Sequence, residues 1–149
     1  MLNGCAESNT KSVGWQHFAH DADLGIRGYG DSLASAYEQA AVALTAAICE
    51  VNNVKSLNQI RIQCEAPDCE LLFVDWLNAV IYEMAVNRML FSKYEVHTDG
   101  LILTATAWGE GIDRIRHQPA VEIKGATYTE LKVYRCENGR WVAQCVVDV

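Results

Sequence analysis

Apolar residues along this chain take alternating and helical spacing in turn, and each switch marks an element. Residues 15–18 open with strand character. Leu24, Ile26 and Gly28 then alternate with Gly25, Arg27 and Tyr29, the pattern of a short strand with close backbone approaches. Gly30-Asp31-Ser32 reads as a turn with Asp31 as N-cap. Leu33, Tyr37, Ala40, Leu44 and Ile48 follow at helical spacing, which predicts a first helix over residues 32–49, stopped by Asn52-Asn53. Its many alanines predict close packing. Ile60, Ile62, Cys64 and Ala66 alternate with polar residues, a half-buried strand. Pro67-Asp68 breaks it. The stripe Cys69, Leu72, Phe73, Trp76, Leu77, Val80 and Met84, widened by Leu71, Val74 and Ile81, predicts a central helix buried on most sides. Asp75 and Asn78 form its polar edge and read as solvated.

After Arg88 the alternation persists to the end. Strands are predicted at 90–96, 101–108, 120–128, 129–136 and 141–149, with a loop at 109–118. Asp99-Gly100 and Asn138-Gly139 carry the type I′ hairpin signal. The predicted order is β-α-β-α-β-β-β-β-β: an α+β fold of two helices on a mostly antiparallel sheet. Residues 1–14 read as a disordered leader and 15–149 as a single domain.

Composition narrows the function classes. The 149 residues suit one domain, and half are hydrophobic, enough to fill a core. Twelve Lys and Arg stand against 19 Asp and Glu, a formal charge of −7 that argues against strong direct nucleic-acid binding and for a protein or cation as partner. No stretch has the form of a signal peptide or approaches the roughly 20 apolar residues of a membrane span, so a cytoplasmic protein is expected. The six cysteines contain no C-x-x-C pair and read as small buried hydrophobes rather than a zinc site or disulfide scaffold.

Four polar clusters are candidates for chemistry. His20, Asp21 and Asp23 crowd one imidazole and two carboxylates into four residues. His117 sits in the 109–118 loop with Arg114 and Arg116. Glu122 and Lys124 are two apart on one predicted strand face, hence side by side. Asp148 is the charge at the end of an otherwise apolar strand. Carboxylates from a first and a last strand suit a hard cation, Ca²⁺ or Mg²⁺, with an oxygen of Val149 as a further ligand. No nucleotide-binding loop, nucleophile elbow or H-E-x-x-H is present, so no enzyme activity is expected.

Several segments together resemble the archease family: residues 20–26 (HDADLGI), 29–33 (YGDSL), 71–78 (LLFVDWLN), 106–110 (TAWGE), Arg116-His117, 122–128 (EIKGATY) and 146–149 (VVDV). Their order and spacing carry the resemblance over nearly all of residues 15–149. It implies a small α+β protein that is not itself a ligase. It implies instead an activator of an RtcB-type RNA ligase, promoting its guanylylation and multiple turnover in tRNA splicing and RNA repair. The resemblance assigns metal ligation, Ca²⁺ first, to Asp23, Asp148 and the backbone of Val149. Lys124 matches an activating lysine, with His20, His117 and Glu122 as possible supporting residues. Asp21 and Gly125-Ala126 depart from the family pattern. Two other readings use the same residues: a chaperone-like modulator of another RNA-processing enzyme, such as an RNA methyltransferase, and a small metal-dependent hydrolase.

Overall fold

The computed structural model describes residues 13–149. Almost all of the expected leader lies outside them; the first strand begins at Gly14, inside the expected leader by one residue. The fold is α+β, in two antiparallel sheets rather than the single sheet expected. Strands β1 (Gly14–His20) and β2 (Asp23–Gly30) form a hairpin. Helix α1 (Leu33–Ile48) follows, then a 3₁₀ turn over Val51–Asn53. Next come β3 (Asn58–Glu65), helix α2 (Cys69–Asn87), β4 (Met89–Asp99) and β5 (Ile102–Gly111). A one-turn helix α3 (Arg114–His117), β6 (Gly125–Ala126), β7 (Lys132–Arg135) and β8 (Trp141–Asp148) complete the chain. The larger sheet has the order β1-β2-β8-β6, with β7 also on β8; the smaller is β3-β5-β4.

Both main helices form for reasons legible in their ends. The Ser32 hydroxyl, not Asp31, caps α1 by accepting from the Ser35 N–H at 3.1 Å; Asp31 lies one residue too early to reach that amide. Asp68 caps α2 from Leu71 N at 2.8 Å, with Glu70 in the first turn, and Arg88 ends the helix in the left-handed region at φ 54°. The alanines of α1 do allow close packing. A Cβ on Gly28 would lie 2.2 Å from the Ala36 carbonyl oxygen, so only glycine lets β2 approach the helix here. The core between helices and sheets holds Tyr37, Leu44, Phe73, Trp76, Leu77 and Phe91, all fully buried. Two of its polar groups are paired inside: Trp76 Nε1 donates to Tyr37 O at 2.9 Å, and the Thr45 hydroxyl donates to Phe91 O at 2.7 Å.

The C-terminal half departs from expectation in specific places. The expected 109–118 loop contains the end of β5 and the helix α3. The expected strand at 120–128 shrinks to Gly125–Ala126. Gln118 takes a left-handed φ of 48°, Pro119 has no N–H to pair, and the strap beyond is tied to α1 by Ala120 N to Ile48 O at 2.7 Å. The expected strand at 129–136 is confined to Lys132–Arg135, because Glu130 at φ 55° turns the chain and breaks the ladder. Neither hairpin is type I′. The first turn is Gly100-Leu101, between the paired Asp99 and Ile102, and only Gly100 has positive φ, which fits a type II′ turn. The second is a longer connection in which Gly139 N–H donates to Cys136 O at 2.9 Å. Among the described cysteines, Cys49 and Cys145 are buried thiols, and Cys64 and Cys69 are partly exposed. Cys136 is disulfide-bonded, so the reading of all six as buried thiols fails there. No helix among the described residues is long and apolar enough to cross a membrane.

Candidate functional site

Three strand ends meet at one end of the larger sheet. β2 starts there with Asp23 and β8 finishes there with Asp148. The β2–β8 register runs from Gly30↔Trp141 to Leu24↔Val147, so the next step sets Asp23 across from Asp148. On the other side of β8, Gly125 pairs with Asp148, and Lys124 N–H donates to Asp148 O at 2.9 Å. Alternation sends Leu24, Ile26, Ala143, Cys145 and Val147 toward the helices, where they join or pack against the core. Asp23 and Asp148 therefore share the opposite face. Asp148 and Val149 are exposed and Asp23 is half-buried. Neither carboxylate makes an ion pair among the described residues.

Asp23, Asp148 and the Val149 backbone themselves offer only oxygens as donors. That set suits a hard cation rather than a metal that prefers sulfur or imidazole. No group of three or more His, Cys, Asp or Glu gathers among the described residues, so a cation held here takes its remaining ligands from backbone, water or a partner.

His20 faces Asp23 across the β1–β2 turn, in which Asp21 has φ 50°. Its Nδ1 is 3.9 Å from the highly exposed Asp21 carboxylate, a weak contact. Glu122 and Lys124 are exposed on either side of the buried Ile123, outside any strand, and no ion pair joins them. The side-by-side strand placement expected for them is thus replaced by two outward side chains on an irregular strap.

His117 is buried, 2% exposed, and not a loop residue. Its Nδ1 accepts from Asp113 N–H at 2.9 Å, which leaves the ring proton on Nε2 to donate to Glu110 Oε2, also at 2.9 Å. Arg116 meets the other Glu110 oxygen at 2.7 Å and donates to Asn53 O at 2.7 Å, and Lys55 N–H donates to Glu110 Oε2 at 2.8 Å. The Lys55 amide first, and then the Arg116 guanidinium, hold the Glu110 carboxyl down at about 2 against the upward push of burial. This knot ties the start of the strap to the end of β5 and to the turn after α1. Both His117 ring nitrogens and both Glu110 carboxylate oxygens have partners within it, so it braces the strap where it leaves β5.

Two residues outside the four polar clusters, Asn78 and Glu110, hold the ends of the strap that carries Lys124. Asn78, on α2, accepts from Ala126 N–H at 2.9 Å and reaches Ala126 O with its amide nitrogen at 3.5 Å. Glu110 ends strand β5 and His117 lies on the separate helix α3, so no single periodicity joins them in the sequence. A lone amide on a helix edge next to a carboxylate gave little signal.

Fold and site together define a small α+β protein in which two helices pack on antiparallel sheets and an acidic pair closes one sheet end. The chain belongs to the archease family: the model of the archease protein family matches residues 15–149. It is 37% identical over 139 residues to the protein archease of Pyrococcus abyssi, covering 91% of this chain and 98% of that one. It is 38% identical to the protein archease of Pyrococcus furiosus with the same coverage. The solution structure of protein 1598 of Methanobacterium thermoautotrophicum superposes with a TM-score of 0.81 at 30% identity, covering 91% of this chain and 99% of that one. A crystal structure from Thermotoga maritima, described as an archease and possible chaperone, shares the fold with a TM-score of 0.60 at 21% identity, covering 90% and 96%.

Proposed function

We propose that the protein is a non-catalytic activator of an RtcB-type RNA ligase, promoting guanylylation of that enzyme and its multiple turnover in tRNA splicing and RNA repair. The observation that carries this reading is the convergence of Asp23, Asp148 and Lys124 on one sheet end in a chain of the archease family. Asp23, Asp148 and the backbone of Val149 are the residues to hold a divalent cation, Ca²⁺ first and Mg²⁺ second. When bound, the cation supplies positive charge that phosphate oxygens in the partner's nucleotide site can share. Lys124 presents its exposed ammonium from the neighbouring chain segment, a second point charge for the same anion. The Glu110–His117–Arg116 knot and the Asn78 amide fix the two ends of the strap that carries it. A formal charge of −7 favours a protein partner over bare RNA. The test is single-turnover guanylylation of the cognate ligase with divalent metal, with and without this protein. Acceleration is expected, and its absence refutes the reading.

A further inference from the structure

A cleft of about 480 Å³ opens on the larger sheet, on the face turned away from the helices. Phe18, His20, Arg27, Lys132, Tyr134 and Gln144 line most of it, drawn from β1, β2, β7 and β8. Register explains the assembly: Phe18 and Gly25 are paired, as are Arg27 and Gln144, and Gln144 and Lys132. The cleft is large enough for a small ligand. Its chemistry differs from that of the rest of this acidic chain, because it combines two cations, aromatic rings and a single acid, Glu130.

Arg27 is held in place without being used up. Its guanidinium lies 4.6 Å over the Phe18 ring, and its Nε donates to Gln144 Oε1 at 2.8 Å. Gln144 is oriented in turn by donating to Glu130 O at 3.0 Å. The two terminal Arg27 nitrogens make no hydrogen bond or ion pair among the described residues. Lys132 has only a 4.0 Å contact to the Glu130 carboxylate, long enough for a stronger anion to displace. A preset guanidinium fork beside a flexible ammonium suits a phosphate, and the Tyr134 ring beside them suits a planar base.

We infer that this cleft binds a nucleoside phosphate, with its phosphate on Arg27 and Lys132 and its base against Tyr134. The unit comes either from a free nucleotide or from the end of an RNA strand. His20 lines the cleft and faces Asp23 across the turn, so the nucleotide would lie beside the acidic sheet end.

The test is calorimetric titration of the full chain, without any ligase, using GMP, guanosine, ribose 5-phosphate and a five-nucleotide single-stranded RNA. GMP is expected to bind more tightly than either of its halves. Arg27→Ala and the exposed Lys132→Ala should each weaken it by about tenfold. Tyr134→Ala should bring GMP and ribose 5-phosphate to equal affinity. Lys93→Ala, on the smaller sheet, should leave binding unchanged. RNA binding well above GMP identifies a strand as the source, and equal binding identifies a free nucleotide. Failure of both to bind, or binding unchanged in the folded Arg27 and Lys132 variants, overturns the inference. Because no ligase is present, such a failure leaves the activator reading standing.

Discussion

The side-chain amide of Asn78 pairs with the backbone of Ala126 through both its oxygen and its nitrogen. A helix residue thus supplies what a neighbouring strand otherwise would, and two-residue β6 persists between β8 and this amide. Asn78→Ala removes both bonds at an exposed site, at an expected cost of about 1 kcal/mol. The larger effect is local: the Ala126 N–H should exchange faster with solvent deuterium, and ligase activation should fall as Lys124 loses its fixed place. Asn78→Asp keeps the oxygen acceptor and should retain most of the amide protection. Unchanged exchange at Ala126 in Asn78→Ala would refute this account.

The acidic pair and the lysine make separable predictions. Asp23→Asn and Asp148→Asn each remove one of two facing carboxylates, so either should weaken Ca²⁺ binding by tenfold or more, on the order of 1.4 kcal/mol. Both should also lower activation of the ligase. Lys124→Ala should lower activation with Ca²⁺ affinity kept or raised, since it removes a nearby positive charge. Calorimetry with Ca²⁺ read beside single-turnover guanylylation distinguishes the two classes.

Acid should weaken the Glu110 knot in a defined window. The carboxyl sits at about 2 in the folded chain against an ordinary value of 4.5. Its contribution is therefore complete above pH 4.5 and is lost as pH falls toward 2. Denaturant unfolding of the parent and of Glu110→Gln should differ most at neutral pH, the parent being more stable, and converge as pH falls through that range. A constant gap would refute the assignment.

Packing of α1 on β2 is predicted to be intolerant of a single methyl. Gly28→Ala drives a Cβ to 2.2 Å from Ala36 O and 2.4 Å from Ala40 N, both backbone atoms that do not rotate away. A loss of about 1–3 kcal/mol is expected from overpacking, read as a lower unfolding midpoint.

Thiol reactivity offers a check on the core. Burial pushes the Cys145 thiol up to about 12, and burial also raises those of Cys49 and Cys64. In the native protein at mild alkaline pH, alkylation at Cys145 should be at least an order of magnitude slower than at the partly exposed Cys69, as mass spectrometry of timed samples would show.

The α+β class and both long helices were legible in the sequence, because long apolar stripes and caps are local signals. The stripe from Cys69 to Met84 corresponds to α2, and Asp68 caps it. What was not legible depended on contacts distant along the chain. Asn78 looks solvated until Ala126 arrives beside it, 48 residues later. The 120–128 segment alternates like a strand, yet Gln118, Pro119 and the tie to Ile48 spend most of it on a strap. His117 carries no mark of burial until Glu110 closes on it. The division into two sheets was invisible for the same reason. The hairpin signals marked turns correctly but misnamed their geometry, since a glycine's left-handed φ serves several turn types.

The break between β6 and β7 has a bearing on self-association. Both short strands pair with the same side of β8, but the register slips between them as residues 127–131 loop outward. A foreign strand approaching this flank finds two residues, a bulge and then four, with Asn78 already occupying the Ala126 groups. Long edges that invite β-addition are the usual route to aggregation. On this side the molecule offers no such template, so the slip in register that follows the Lys124 strap also guards the sheet.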